Sequence, residues 1–483
     1  MLDDITEAEP SMPPTTVSPT SIAADAELVS SSTDKPSGWT RLPLELREKV
    51  VDDVVQVIED LSCNRTTNAP EAVAVGFFEV ESARSEALYR VRVEKRRALE
   101  RMQAVGRDFR SLCTPHLWRD IIVVGSDPSD QYARQVERLF DDLPSHASHV
   151  RSFMITRHDQ GRSELAWDNM YEQAMQALRL CKNVRRVELY CTRRGYPDFE
   201  MPRVDYMELH GPTNVGQFLQ YPVPANLTSL KLCDNGDEPW DYDLIAPVIL
   251  LSSLKHLYLR MGLEDSWFET ALEQSAGVDT VARLESLELN GTSEDISYSP
   301  LHAFVSKFAS SLASLRLFFP PSPYEDPWTV PVNQAFDLPH LHSLFLSTGF
   351  TSDLFLQFTA PHIPLRLLYV GYSPFLYGDV DGLVILLRAH AATLERVHIA
   401  AAPVDVKDYF WHEEILEEHK MSLEDYVDLT YACRSLGVAY SIEEPEDYIA
   451  DDETVWDLPS RYYEDSEDAY GEFSTDEYDE DTE

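Results

Sequence analysis

A chain of 483 residues with 43% hydrophobic side chains has room for more than one domain and can bury a large core. Its formal net charge of -44 disfavours contact with nucleic-acid backbone or an anionic membrane surface. None of the six cysteines forms a C-x-x-C pair, which points to free thiols in a reducing compartment, cytoplasmic or nuclear.

Residues 1–38 are rich in Ser, Thr, Pro and Ala, carry seven acidic residues and one lysine, and are expected to be disordered. This N-terminus lacks the basic start and apolar core of a signal peptide, and no run reaches the roughly 18 apolar residues of a membrane helix. From Trp39 the pattern changes. Leu42, Leu46, Val50, Val54 and Ile58 recur every fourth position and predict an amphipathic helix, with Pro43 in its first turn. Glu45 and Glu48 lie near the positive end of its dipole. Residues 61–80 read as a loop or insertion. A second helix is predicted from about Ser82 to Leu112, with Leu99, Met102, Val105, Phe109 and Leu112 on its apolar face and Pro115 ending it. Leu117–Val124 then turns into an extended, β-branched run.

The segments R-L-P-L-E-L-R-E-K-V-V and, after a gap, L-E-R-M-Q-A-V-G-R-D-F-R-S-L-C-T-P-H-L-W-R-D-I-I-V resemble an F-box, in particular the F-boxes abundant in filamentous and mushroom-forming fungi. Leu42, Pro43, Glu45 and Leu46 match the family's Leu-Pro-x-Glu-Leu; Val105, Arg107, Leu112, Pro115, Leu117 and Trp118 match its later Val-Cys-Arg-x-Trp and Pro-x-Leu-Trp-Arg patterns. Gly106 stands where cysteine is common, Phe109 where tryptophan is common, and a longer stretch than usual separates the halves. The resemblance implies a small all-α domain that docks the Skp-type adaptor of a cullin-RING ubiquitin ligase. Leu42, Pro43, Leu46, Val105, Phe109, Leu117 and Trp118 are the candidate adaptor-side residues. The alternative for this segment is a helical cap, because the end of a stacked array exposes apolar surface.

A short unit then recurs. Leu227, Leu230 and Leu232 form L-x-x-L-x-L, and copies begin at 254, 284, 312 and 341. Weaker copies begin at 150, 184, 204, 365 and 394. Strand side chains alternate, so L-x-L sets two apolar groups on one face, and the leucine three positions earlier closes the turn into the strand. Most steps are 20 to 30 residues, the leucine-rich-repeat period. The consensus asparagine three places past the third apolar residue occurs once, as Asn235, so no asparagine ladder is expected. Thr228, Ser229 and Lys231 exemplify positions between the leucines that are expected to be exposed. Two loops, Asp234–Tyr242 and the five-proline stretch Phe319–Phe336, offer Trp240, Tyr242 and Trp328 as candidate target contacts. A last helix, about Ser422–Leu436, leads through Gly437 to a strand at Val438–Ile442. From Ser441 onward there are 19 acidic residues and one arginine, with aromatics interleaved.

No phosphate-cradling glycine loop and no nucleophile elbow occurs, and His412 and His419, seven apart, do not have the spacing of a helical zinc pair. No enzyme, cofactor or metal is expected. The fold class is α/β: an F-box-like helical domain at 39–125, a leucine-rich-repeat solenoid of about ten strand-containing repeats at 126–445, and disordered termini at 1–38 and 446–483. The expected function is the substrate-recognition subunit of an SCF-type ligase, a monomer within a hetero-complex of adaptor, cullin-RING ligase and a protein substrate. The alternative is a repeat scaffold that engages basic partners through its acidic surface and tail.

Overall fold

The computed structural model describes residues 43–67, 95, 98–103, 107–125, 140–157, 164–190, 200–210, 223–233, 246–277, 282–291, 296–319, 329–331, 334–348, 350–371, 380–400, 421 and 423–442. The expected disordered ends and acidic tail, and the loop residues Trp240, Tyr242 and Trp328, lie outside these. The chain divides into two compact units, residues 1–54 and 55–483.

Helix α1 (Leu44–Thr67) begins in the first unit. The Pro43 carbonyl accepts hydrogen bonds from the N–H groups of Leu46 (3.1 Å) and Arg47 (3.2 Å) and so starts the helix, consistent with proline's place at a helix entry. Residues 61–67, expected to lie in a loop, continue this helix; no Gly or Pro interrupts L-S-C-N-R-T-T. The buried positions are Val51 and Val55, whereas Leu46, Val50 and Val57 are exposed. The expected apolar face at Leu46 and Val50 is therefore not the covered one. A four-residue spacing drifts by about 40° per step on a helix with 3.6 residues per turn. Two apolar stripes thus coexist here, and periodicity does not say which is covered.

The second unit is one parallel sheet with helical and irregular returns. Helix α2 (Arg107–Leu117) buries Phe109 and Cys113. It runs two residues past Pro115, contrary to expectation. Proline so near the end removes only one late donor, and the Trp118 N–H closes the last turn on the Thr114 carbonyl at 3.1 Å. The twelve strands are β1 (Asp120–Gly125), β2 (Ser152–Arg157), β3 (Arg186–Tyr190), β4 (Tyr206–His210), β5 (Ser229–Cys233), β6 (His256–Met261), β7 (Ser286–Gly291), β8 (Ser314–Phe319), β9 (Ser343–Thr348), β10 (Leu367–Val370), β11 (Arg396–Ile399) and β12 (Ala439–Ile442). Their order in the sheet is their order in the chain. The ten expected strand positions fall on β2 to β11. The run 120–125, grouped by sequence with the helical segment, pairs with β2 as the first strand, and β12 closes the sheet beside β11.

The register turns the L-x-L pattern into continuous apolar rows. Leu230 is matched with Leu257, then Leu287, Leu315, Leu344 and Leu368. Leu232 starts a parallel row through Leu259, Leu289, Leu317, Leu346 and Val370. All belong to one buried cluster. The first apolar residue of each unit closes a tight turn as expected: Leu227 N–H donates to Pro224 O at 3.0 Å and Leu254 N–H to Leu251 O at 2.9 Å. Beside this turn one carbonyl per strand accepts two N–H groups from the next. Thr228 O takes Lys255 N–H (2.8 Å) and His256 N–H (3.0 Å), and Lys255 O takes Glu285 N–H (2.7 Å) and Ser286 N–H (3.0 Å). Side chains one place before that apolar residue join in: Asn183 Nδ2 reaches Ser148 O and Asn226 Nδ2 reaches Pro202 O, at 2.9 and 2.8 Å. The coupling between units is thus mostly backbone, at the strand entry, and needs no asparagine ladder at the exit.

Helices pack the other side of this core. α3 (Glu164–Leu180) follows β2; α4 (Asp265–Gln274) and α5 (Tyr298–Ser306) bring together Trp267, Phe268 and Phe304 within 5.4 Å between ring centres, Trp267 edge to face with both phenylalanines. α6 (Asp353–Leu356) lies so close to α7 (Asp381–Ala389) that a Cβ on Gly382 would stand 2.5 Å from Ser352 O. α8 (Leu423–Leu436) ends at Gly437, φ +69°, with Val438 N–H returning to Cys433 O at 3.2 Å, a Schellman closure that aims the chain into β12.

Candidate functional site

Because the two leucines of each L-x-L face the helices, the residue between them faces the other side of the sheet. In register from β3 to β11 these residues are Glu188, Glu208, Lys231, Tyr258, Glu288, Arg316, Phe345, Tyr369 and His398. The column is charged in its first half and aromatic in its last.

Its members are joined laterally. Arg186 Nε pairs with Glu188, and its guanidinium carbon stacks 3.7 Å from the centre of the Tyr206 ring. Tyr206 donates to Glu208 Oε2 at 2.7 Å. The other oxygen of Glu208 receives His210 Nε2 at 2.6 Å and Lys231 Nζ at 2.8 Å. Lys231 Nζ also lies 5.3 Å from the centre of the Tyr258 ring, and Asn290 Nδ2 reaches Tyr258 OH at 3.4 Å. Beyond it Arg316 Nε contacts Glu288 Oε2 at 3.6 Å and its guanidinium carbon stacks 4.2 Å from the centre of the Phe345 ring. Phe345 stacks on Tyr369 at 4.4 Å, and Tyr369 on His398 at 4.7 Å.

The electrostatics follow from this crowding. Burial alone would raise the Glu208 pKa, but the hydrogen bond from His210 and the Lys231 charge outweigh it and hold the carboxyl well below the usual range. Burial disfavours a charged His210, yet hydrogen bonds to the Cys233 and Glu208 side chains raise its pKa to about 9. Burial, with Glu208 nearby, pushes the Tyr206 hydroxyl far up, so it donates as a neutral phenol.

Ser229 and Lys231, expected to be exposed, are only 4% and 9% exposed, and the Thr228 hydroxyl is turned to Asp205 O at 2.9 Å. Strands about 4.8 Å apart set long side chains of adjacent units against one another, and these cover the short serines between them. Of the adaptor-side residues, Leu42 and Val105 are outside the description. Pro43 and Leu46 are exposed, Phe109 is buried, and Leu117 and Trp118 are half-buried. Trp118 stacks on His146 at 4.6 Å and packs on the core of the sheet, so it is a structural residue of the second unit. Pro43 and Leu46 thus remain accessible, while Phe109 and Trp118 serve packing. The cluster Arg186, Tyr206, Glu208, His210 and Cys233 was not singled out from the sequence. The signal was there, as charged and aromatic residues at the middle and flanking positions of successive L-x-L units.

No family model matches the chain, and no curated protein matches it. Among the described residues no group of three or more His, Cys, Asp or Glu side chains could hold a metal ion, and no helix is long and apolar enough to cross a membrane.

Proposed function

We propose that this chain is the substrate-recognition subunit of an SCF-type, cullin-RING ubiquitin ligase, with an F-box-like N-terminal segment for a Skp-type adaptor and a leucine-rich-repeat solenoid for a protein target. One observation carries the reading. α1, which carries Glu45 and Leu46 of the Leu-Pro-x-Glu-Leu match, leaves Leu46 49%, Val50 36% and Val57 54% exposed while Val51 and Val55 are buried. Large apolar groups grouped on the uncovered side of a helix favour a partner there. The repeat array supports the second half of the reading, since its non-core face carries a charged or aromatic group on every strand from β3 to β11. Such a subunit contributes proximity, and bond chemistry stays with its partners.

The test is co-purification of the full chain with a Skp-type adaptor, repeated with Leu46→Glu plus Val50→Glu. Capture by the unmutated chain and loss in the variant, at unchanged helical content, is the expected result. No adaptor captured by the unmutated chain would sink the idea. The net charge of -44 favours a second reading, a scaffold for basic partners. Removing residues 446–483 then abolishes salt-sensitive binding to a basic protein, which the ligase reading does not require.

A further inference from the structure

The residue just before each strand lies on the rim where the strands begin. On β1, β2 and β3 these residues are Arg119, Arg151 and Arg185, in register with one another. Their backbones are joined: Arg151 N–H donates to Arg119 O and Arg185 N–H to Arg151 O, both at 2.8 Å. Further along the same rim a cation stands beside an acid of the next strand. Lys255 Nζ meets Glu285 Oε1 at 2.6 Å, and Arg366 Nη1 meets Glu395 Oε1 at 3.5 Å. Among the described residues none of the three arginines forms such an ion pair. Arg119 and Arg185 are exposed, and Arg151 is half-buried. Arg151 Nη1 donates to Ser148 O (2.8 Å) and Val150 O (3.0 Å), which holds it along the rim. Like charges one strand spacing apart, about 4.8 Å, repel each other, so the row favours an anion lying across it.

A cleft of about 330 Å³ opens beside this row. Leu178, Val184, Met201 and Val204 give it an apolar floor, and Lys182 and Glu200 line it at exposed positions. Val184 directly precedes Arg185. Arg203, also exposed, stands between the lining residues Pro202 and Val204. Its Nη1 donates to Asn183 Oδ1 at 2.5 Å, and Asn183 Nδ2 donates to Ser148 O at 2.9 Å, so cleft and arginine row are tied into one surface. The acids here are Glu200 and the half-buried Asp205, which continues the row on β4. Arg119, Arg151, Lys182, Arg185 and Arg203 outnumber them.

A basic surface around an apolar hollow fits an acidic segment that carries a large apolar side chain. In a chain of net charge -44 such a segment is close at hand. Residues 446–483 set acids around aromatics, as in D-D-E-T-V-W-D-L at 451–458, and Arg461 is their one basic residue. They follow β12, nine strand steps from β3. Nine spacings of about 4.8 Å make about 43 Å. Residues 443–456 alone span up to about 46 Å when extended.

We propose that the arginine row and its cleft are an interaction surface for the chain's own acidic segment 446–483, with Trp456 as the occupant of the cleft and the carboxylates around it answering Arg119, Arg151 and Arg185. The contact is intramolecular and weakens with salt. Any other acidic partner of this rim must displace it. It is independent of the ligase reading.

The experiment uses the full chain as a mixture of nitrogen-15-labelled and unlabelled copies, treated with a carbodiimide that joins lysine amines to carboxylates without a spacer. Linked peptides are then mapped by mass, and the isotope pattern separates links within one copy from links between two. At low salt Lys182 is expected to link to a carboxylate of 446–483 within one copy, about fivefold or more above Lys255. In about 0.5 M salt the link should fall about fivefold. Arg119→Glu plus Arg185→Glu, at two exposed positions, should lower it as far at unchanged circular dichroism. Trp456→Ala should lower it about threefold, and Arg366→Glu, elsewhere on the rim, should leave it unchanged. Acetylation of Lys182 by acetic anhydride in the same high salt shows that the amine is reactive, so a missing link counts against the contact. No link from Lys182 to 446–483 in the unmutated chain, links between copies only, or an equal yield in the charge-reversed pair overturns the proposal.

Discussion

Lys231 Nζ stands 2.8 Å from Glu208 Oε1, across neighbouring strands, and the two residues are 9% and 5% exposed. An ion pair this enclosed is costly to break from one side, because the survivor keeps its charge out of water. Glu208→Ala leaves Lys231 and His210 facing each other without a carboxylate and is expected to cost about 3–5 kcal/mol. Glu208→Leu combined with Lys231→Met and His210→Leu removes the charges together and recovers most of that loss. Urea denaturation of the single and combined variants measures it, and equal instability of the two would show that shape, not charge, governs the site.

The pH dependence follows from the same cluster. The His210 pKa is raised to about 9, so the folded chain holds its proton more tightly than the unfolded chain does. That stabilisation is complete below the unfolded value of about 6.5 and is lost as pH rises through about 9. The Glu208 pKa is lowered, so its contribution is present above the ordinary glutamate value of 4.5 and fades as pH falls below it. Between these limits both act together. The midpoint of thermal unfolding should therefore exceed that of His210→Gln by more at about pH 6 than at about pH 9.5. A gap of equal size at both pH values would mean that the ring acts only by its shape and neutral hydrogen bonds.

The apolar rows set a third expectation. Leu289 is 1% exposed in the middle of its row, between Leu259 and Leu317. Leu289→Ala deletes three buried carbons where both flanking strands are fixed by register, and is expected to cost about 2–5 kcal/mol. Gly382→Ala tests the return side, since the added methyl would meet the Ser352 backbone at 2.5 Å and force α6 and α7 apart, a loss of about 1–3 kcal/mol. Chemical denaturation reads both. Tyr431→Ala, at a side chain 73% exposed, should change stability by less than about 0.5 kcal/mol.

Much of the architecture was legible because strand geometry has a period of two. Once L-x-L recurs every 20 to 30 residues, the buried face of each strand, the neighbour of each strand and their parallel order follow with little freedom. The two ends were harder. β1 was visible only as a β-branched run after α2, with no leucine three places earlier to mark it as part of the array. α1 misled for a related reason: its apolar residues fall on two stripes, and only the covered one contributes to packing.

The chemistry of the non-core face was least legible. Glu208, Lys231 and Cys233 lie in a stretch of sequence whose visible logic is its leucines. Sequence by itself determined that such residues face away from the core, because alternation leaves them no other side. Only the tertiary structure decided which of them meet. Register brings positions about one repeat apart within a strand spacing of each other, so Cys233 falls between His210 and Arg260, and Lys231 beside Glu208. A shift of one residue would have turned the same side chains into the core, which the leucines on either side forbid.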